Sequence, residues 1–155
     1  MELVDIDTRL IFAILNGKVS AAINRKLAHN FYNAGFDLIP EEWTILLYLS
    51  EKDGVMQNEL CEAIFTDKPG MTRLLNRMES KHLVLRKNYE ADHRVNLIFL
   101  TEQGRQTKLR AQHIALRTLK EALRGLDLRD IQISQEVLRG VFNNMANDFN
   151  IQKKY

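Results

Sequence analysis

The sequence predicts a mainly α-helical fold with one small β-hairpin, an α+β arrangement, and three observations point there. Long segments at both ends repeat apolar residues at helical spacing. Between them lie three short apolar stretches punctuated by Gly, Pro and polar turns. Two runs rich in β-formers, LVLRKNY (83–89) and VNLIFL (95–100), flank the polar tip EADHR.

Taken in order, Leu10, Ile14, Ala21, Leu27, Ala28 and Phe31 support one long helix from Asp7 to about Asn33, which Gly35 stops. Pro40 opens a short, very apolar helix, EEWTILLYLS (41–50), closed before Gly54. QNELCEAI (57–64) is another short helix, and Pro69 opens the next. That helix, within GMTRLLNRMESKHLV (70–84), has two faces. Met71, Leu74, Leu75 and Met78 form a buried stripe, while Thr72, Arg73, Asn76 and Arg77 face the other way. Every residue of the outer stripe is a hydrogen-bond donor and none is a carboxylate. After the hairpin, Thr101 is a good N-cap for a helix from Glu102 to about Leu123, ended by Gly125. Asp127 can cap a last helix reaching Phe149. No internal repeat, low-complexity tract or flexible linker interrupts this order.

The 155 residues suit one domain spanning the chain and are enough to bury a real core. The net charge is only +2, so any basic character that matters must be local. One cysteine excludes an intramolecular disulfide framework, no apolar run approaches the ~20 residues of a membrane span, and the acidic start MELVDIDTRL is not a signal peptide. A cytoplasmic protein is expected. Chemistry is hard to find. Cys61 sits in a short packed helix, where a small buried hydrophobe is the expected role. His29, His82, His93 and His113 lack metal-ligand spacing, and Glu41 and Glu42 open a helix, where acids suit the dipole. There is no glycine-rich phosphate loop, nucleophile elbow or acid–base pair. The expectation is no enzyme, no metal and no cofactor.

The middle of the chain, residues 35–101, has the element order of a winged helix-turn-helix. Residues 68–94 hold seven Lys and Arg (Lys68, Arg73, Arg77, Lys81, Arg86, Lys87, Arg94) against three acids, a surplus of four that exceeds the net charge of the whole chain. A basic island on a near-neutral protein is the electrostatic footprint of a DNA-binding module. The flanking segments, 1–34 and 102–155, carry more apolar helix than so thin a middle can cover. Leu109, Leu116, Leu119, Leu123 and Leu126 make one seam, and Ile131, Leu138, Val141, Phe142, Met145 and Phe149 another. Packing on their own domain would use some of this surface. Burying ~1,500 Å² or more against a second copy would use the rest, and a homodimer is expected.

The ordered set PEEWTILLYL (40–49), QNELCEAI, MTRLLNRMESKHLV (71–84), Arg86, Asp92-His93-Arg94 and LTEQG (100–104) resembles the MarR family of bacterial and archaeal transcriptional regulators. The resemblance implies a dimer of winged helix-turn-helix lobes joined by helices from both termini, binding double-stranded DNA at short pseudo-palindromic operators. Many such proteins are repressors released by a small molecule. It puts Pro69, Gly70 and Arg73 at the major groove with Thr72 beside them, and Asn76 and Arg77 a turn further, on phosphate. Lys68, Arg86 and Lys87 complete the basic set. Arg94 matches the arginine that enters the minor groove, and Asp92 its orienting partner. The chain departs from the pattern in three places. His93 replaces a usual arginine. His82 replaces the glycine after the recognition helix, where a left-handed backbone is needed. Ile39 replaces a usual Ser or Thr cap, leaving Asp37 to cap the second helix.

The resemblance also implies an effector pocket that Leu27, Phe31, Trp43 and Leu47 could line, although a core needs such residues anyway. The rival reading is a winged-helix module that binds another protein. Such a face normally shows exposed aromatics, whereas the outer stripe here is Arg, Asn and Thr.

Overall fold

The computed structural model describes residues 8–152, except for side chains 8, 9, 11, 93 and 147–152. The expected helix start at Asp7 and the Phe149 side chain therefore lie outside the described residues. In order, the elements are α1 (Thr8–Asn33), α2 (Pro40–Glu51), β1 (Val55–Met56), α3 (Gln57–Ala63), α4 (Lys68–Ser80), β2 (Val84–Tyr89), β3 (Asp92–Leu100), α5 (Glu102–Ala122) and α6 (Leu128–Gln152). The fold is mainly helical, with one antiparallel three-stranded sheet in the order β1-β3-β2. It divides into two compact units, Met1–Leu119 and Lys120–Tyr155.

In the first unit the apolar stripe of α4 is the keel. Met71, Leu75 and Met78 are completely buried, with Phe31 of α1, Ile45, Leu46 and Leu49 of α2, Leu60 of α3 and Ile98 of β3. Each such side chain contributes about 1.5–3 kcal/mol by leaving water. The stripe therefore fixes which face of α4 is left for solvent. His82, directly after α4, has φ +56°, the left-handed backbone its place in the sequence requires. The chain then turns into β2. Leu83 O accepts the Thr101 N–H at 3.1 Å, and a Cβ on Gly104 would sit 2.1 Å from that same oxygen. Only glycine lets the first turn of α5 approach the α4–β2 junction so closely. Thr101 caps α5, accepting the Gly104 N–H at 2.9 Å.

The sheet differs from the sequence expectation in two ways. A two-residue strand, β1, pairs Val55 with Ile98 and Met56 with Leu97, too short to leave a periodic signal. The hairpin is also tighter than EADHR suggested. β3 already starts at Asp92, paired with Tyr89 across a register shift after Asn88, so only Glu90 and Ala91 form the turn. Asp53 ties the base of this wing to α5: its carboxylate accepts the Leu100 N–H at 2.8 Å and pairs with Arg105 at 2.6 Å.

In the second unit Asp127 accepts the Arg129 N–H at 2.7 Å at the start of α6, the expected capping residue. Leu126, Leu128, Ile133, Val137, Leu138, Val141, Phe142 and Met145 are all exposed.

Candidate nucleic-acid interface

The solvent face of α4 begins at its cap. Asp67 Oδ1 accepts the Gly70 N–H at 2.7 Å. A Cβ at position 70 would lie 2.6 Å from that oxygen and 3.0 Å from Thr66 Oγ1, so glycine is what lets the cap close. Lys68 and Pro69 stand exposed on the first turn, followed by exposed Thr72, Arg73 and Asn76. Thr72 Oγ1 donates to Lys68 O at 2.9 Å and accepts from Gln57 Nε2 of α3 at 2.8 Å. The described ion pairs on α4 and the wing engage Arg77, Lys81, Arg86 and Arg94 and leave Lys68, Arg73 and Lys87 outside them.

In the far half of α4, Arg77 has carboxylate partners that the sequence did not announce. Its guanidinium is spent on carboxylates: Nη2 lies 2.7 Å from Asp37 Oδ1 and Nε 3.2 Å from Glu42 Oε1. Lys81 joins them, donating to Asp37 O at 2.6 Å and to Glu42 Oε2 at 3.0 Å. Glu42 is completely buried. A buried carboxylate needs such partners, because without them its desolvation would cost several kcal/mol. Glu42 therefore does more than suit a helix dipole. It also accepts the Ile39 N–H at 3.1 Å, which replaces the capping role expected of Asp37. Asp37 instead faces α4, and the Arg77 hydrogen bond holds its carboxyl below the usual carboxylate range, helped by Lys81.

The wing repeats this division. Arg86, expected on DNA, is half-buried and clamps Glu79 of α4 through its guanidinium, while its backbone N–H donates to Glu79 Oε1 at 3.2 Å. It holds the wing against α4. Lys87 is exposed, with Nζ 5.0 Å above the Phe99 ring. Arg94 is 95% exposed in its side chain, so nothing in the lobe covers it. Asp92 Oδ1 accepts the Arg94 N–H at 3.0 Å and lies 3.7 Å from its Nε. The His93 side chain lies outside the described residues.

Of the four apolar residues expected around an effector, Leu27 and Phe31 are core, at 5% and 0% exposure. Trp43 packs on that core with its ring 6.2 Å from Phe31, and Leu47 is half-buried beside it. The Trp43 Nε1 proton is buried without a hydrogen-bond partner. Two cavities flank the α1–α2 turn instead. One of about 220 Å³ is lined by Phe36, Lys81, Gln103 and Arg110 among others, and one of about 440 Å³ by Ala28, Tyr32 and Ile39. Cys61 is buried at 8% exposure, as a small hydrophobe should be. No cluster of three or more His, Cys, Asp or Glu side chains among the described residues is arranged to hold a metal. No helix among them is long and apolar enough to cross a membrane. Sequence reasoning missed Gln57 and the cluster that Asp37, Glu42 and Lys81 form with Arg77; only the carboxylate at Glu42, three residues after Ile39, carried a local signal, that of a capping partner.

Comparison with known proteins meets this geometry. The family model for the MarR family matches residues 36–94, from the α1–α2 turn to the wing arginine. The transcriptional regulator YdgJ of Bacillus subtilis (strain 168), described as an uncharacterized HTH-type regulator, is 30% identical over 103 residues. The chain resembles the MarR family over this stretch. That stretch covers 66% of this chain and 63% of the relative's length. The crystal structure of the transcriptional regulator SlyA superposes with a TM-score of 0.81 at 19% identity, covering 90% of this chain and 97% of that one. The repressor CouR, solved bound to a 23-mer DNA duplex, matches with a TM-score of 0.71 at 21% identity over 83% and 89% of the two chains. These structures share this chain's fold, and the relatives it matches are described as transcriptional regulators.

Proposed function

We propose that this chain is a sequence-specific DNA-binding transcriptional regulator that acts as a homodimer on a pseudo-palindromic operator, represses, and lets go when a small molecule binds. The observation that carries the reading is the division of α4. Its first two turns present Lys68, Pro69, Gly70, Thr72, Arg73 and Asn76 to solvent on a rigid buried stripe, with Lys87 and Arg94 on the wing. A helix of that composition fits the major groove, where a guanidinium bonds guanine in a bidentate way. Arg94, held at its base by Asp92, has the reach and charge for a narrow minor groove. CouR, of the same fold, was solved on DNA.

The homodimer reading rests on apolar side chains that one chain leaves in water: Leu10, Ile14 and Val19 on α1, Leu109 and Leu116 on α5, and Leu138 and Met145 on α6. Such patches mark an interface. Two recognition helices related by a two-fold axis address half-sites about 10 bp apart. Release by an effector rests on Trp43, whose buried Nε1 proton is unspent beside Phe31. A small molecule that weakens DNA binding should therefore change the fluorescence of this sole tryptophan.

The test is fluorescence anisotropy of the full chain on the DNA upstream of its own gene and on a random duplex, across a salt series, with mass measured by sedimentation. The reading expects a dimer, preference for the upstream DNA and a steep fall of affinity with salt. A monomer, or equal salt-insensitive affinity for both duplexes, overturns it.

A further inference from the structure

Thr72 sits in the middle of the proposed reading face, and its hydroxyl has a single proton to give. That proton goes to Lys68 O at 2.9 Å, one turn back on α4. The contact between Thr72 Oγ1 and Gln57 Nε2, 2.8 Å, can then run in one direction only: the Gln57 amide donates and the hydroxyl accepts. This settles which end of the amide faces Thr72. It leaves Gln57 with its carbonyl oxygen and one N–H, a donor and an acceptor on one planar group. Adenine in the major groove asks for that combination, accepting at N7 and donating from N6.

Gln57 is the first residue of α3, so it reaches the face of α4 from a second helix. It is partly exposed, and its neighbours there, Thr72 and Arg73, are exposed as well. Among the described residues, the Gln57 amide is bonded to Thr72. The nearby acid of α3, Glu59, is taken by Lys52 at 2.6 Å and by the Tyr48 hydroxyl at 2.7 Å.

We propose that Gln57 is a specificity-determining residue that reads one adenine in each half-site, with Thr72 as the positioning residue that fixes its amide. The inference rests on the reading of this chain as an operator-binding regulator and adds a base contact from outside the recognition helix. It also constrains Thr72. With its proton committed, the hydroxyl cannot donate to a base, so its part in specificity runs through Gln57.

The experiment is selection of bound duplexes from a library with a randomised core, using wild type, Gln57→Ala, Gln57→Glu, Thr72→Val, Thr72→Ser and Arg73→Ala, followed by affinity measurements on the selected site. Gln57→Ala should lose the preference for A·T at one position per half-site, about tenfold against the other bases, while every other position keeps its preference. That position must differ from the one relaxed by Arg73→Ala. Gln57→Glu should move the preference toward C·G, since a carboxylate accepts from cytosine N4. Thr72→Val should relax the same position as Gln57→Ala, and Thr72→Ser should restore it, a rescue that a purely structural role would not show. If wild type selects a defined site and Gln57→Ala selects it with unchanged preferences, the inference is overturned while the operator-binding reading stands. If wild type selects no sequence, both fall together.

Discussion

Arg73 and Arg77 are one helical turn apart on α4, both on its outer stripe, and they end in different environments. Arg73 points from the capped, exposed half of the helix and stands outside the ion pairs of the lobe. Arg77 is drawn across to Asp37 and to the buried Glu42, with Lys81 beside it. The sheet repeats the contrast, with Arg86 clamped on Glu79 and Arg94 almost wholly in water. One pair of basic side chains orients α4 and the wing; the other pair is held ready by that orientation. Residue type does not separate the two roles, because a guanidinium serves a carboxylate and a phosphate equally well. What separates them is whether the fold brings a carboxylate within reach.

That contrast can be broken from the scaffold side first. Glu42→Gln removes the buried charge that collects Arg77, Lys81 and the Ile39 N–H. Breaking a buried pair costs several kcal/mol, but both cations keep some exposure and recover hydration, so urea denaturation should show a loss of about 3 kcal/mol. Arg77→Ala should cost about 2 kcal/mol in the same assay, since Lys81 remains to serve Glu42. On the wing, Lys87→Ala should leave stability unchanged, weaken operator and random DNA equally by under about 1 kcal/mol, and lower the salt slope by about one. A larger loss on operator alone would move Lys87 from holding to reading.

The smallest effect sharpens the role of Asp37. Its carboxyl is held below the usual range by Arg77, so the pair stabilises the fold above the unfolded-state value and stops doing so as pH falls through the folded-state one. Wild type should be more stable than Asp37→Asn at neutral pH, and the two should converge as the medium is acidified below the ordinary carboxylate range. Because the Asp37 side chain is 76% exposed, the difference should stay below about 1 kcal/mol. A gap that persists in acid would mean that the Asp37 side chain acts through something other than its charge.

What was legible in the sequence is what local chemistry decides. The two stripes of α4 follow from helical period and the caps at Thr101 and Asp127 from residues adjacent to what they bond. The left-handed turn at His82 came only from the family resemblance, which has glycine there. The fate of Arg77 was not legible, since Asp37 is 40 positions away and nothing in either segment marks the other. Nor was Gln57, whose partner is 15 positions on and across a turn. The positive φ of Phe65 in that turn, +53°, also had no sequence signal. Leu27 and Phe31 show a further limit. An apolar residue at helical spacing reads the same whether it fills a core or lines a pocket, and both proved to be core. β1 escaped because two residues cannot show a period.

The central claim is that α4 reads with its first half and is anchored by its second. The most direct measurement pairs anisotropy titrations on the operator and on a random duplex with denaturation curves, for Arg73→Ala and Arg77→Ala side by side. Arg73→Ala should keep wild-type stability, lose about 1–3 kcal/mol on the operator and lose much less on random DNA. Arg77→Ala should lose stability while keeping the ratio between the two duplexes. If Arg77→Ala lowers that ratio as much as Arg73→Ala does, or Arg73→Ala weakens both duplexes equally, the division of α4 is contradicted.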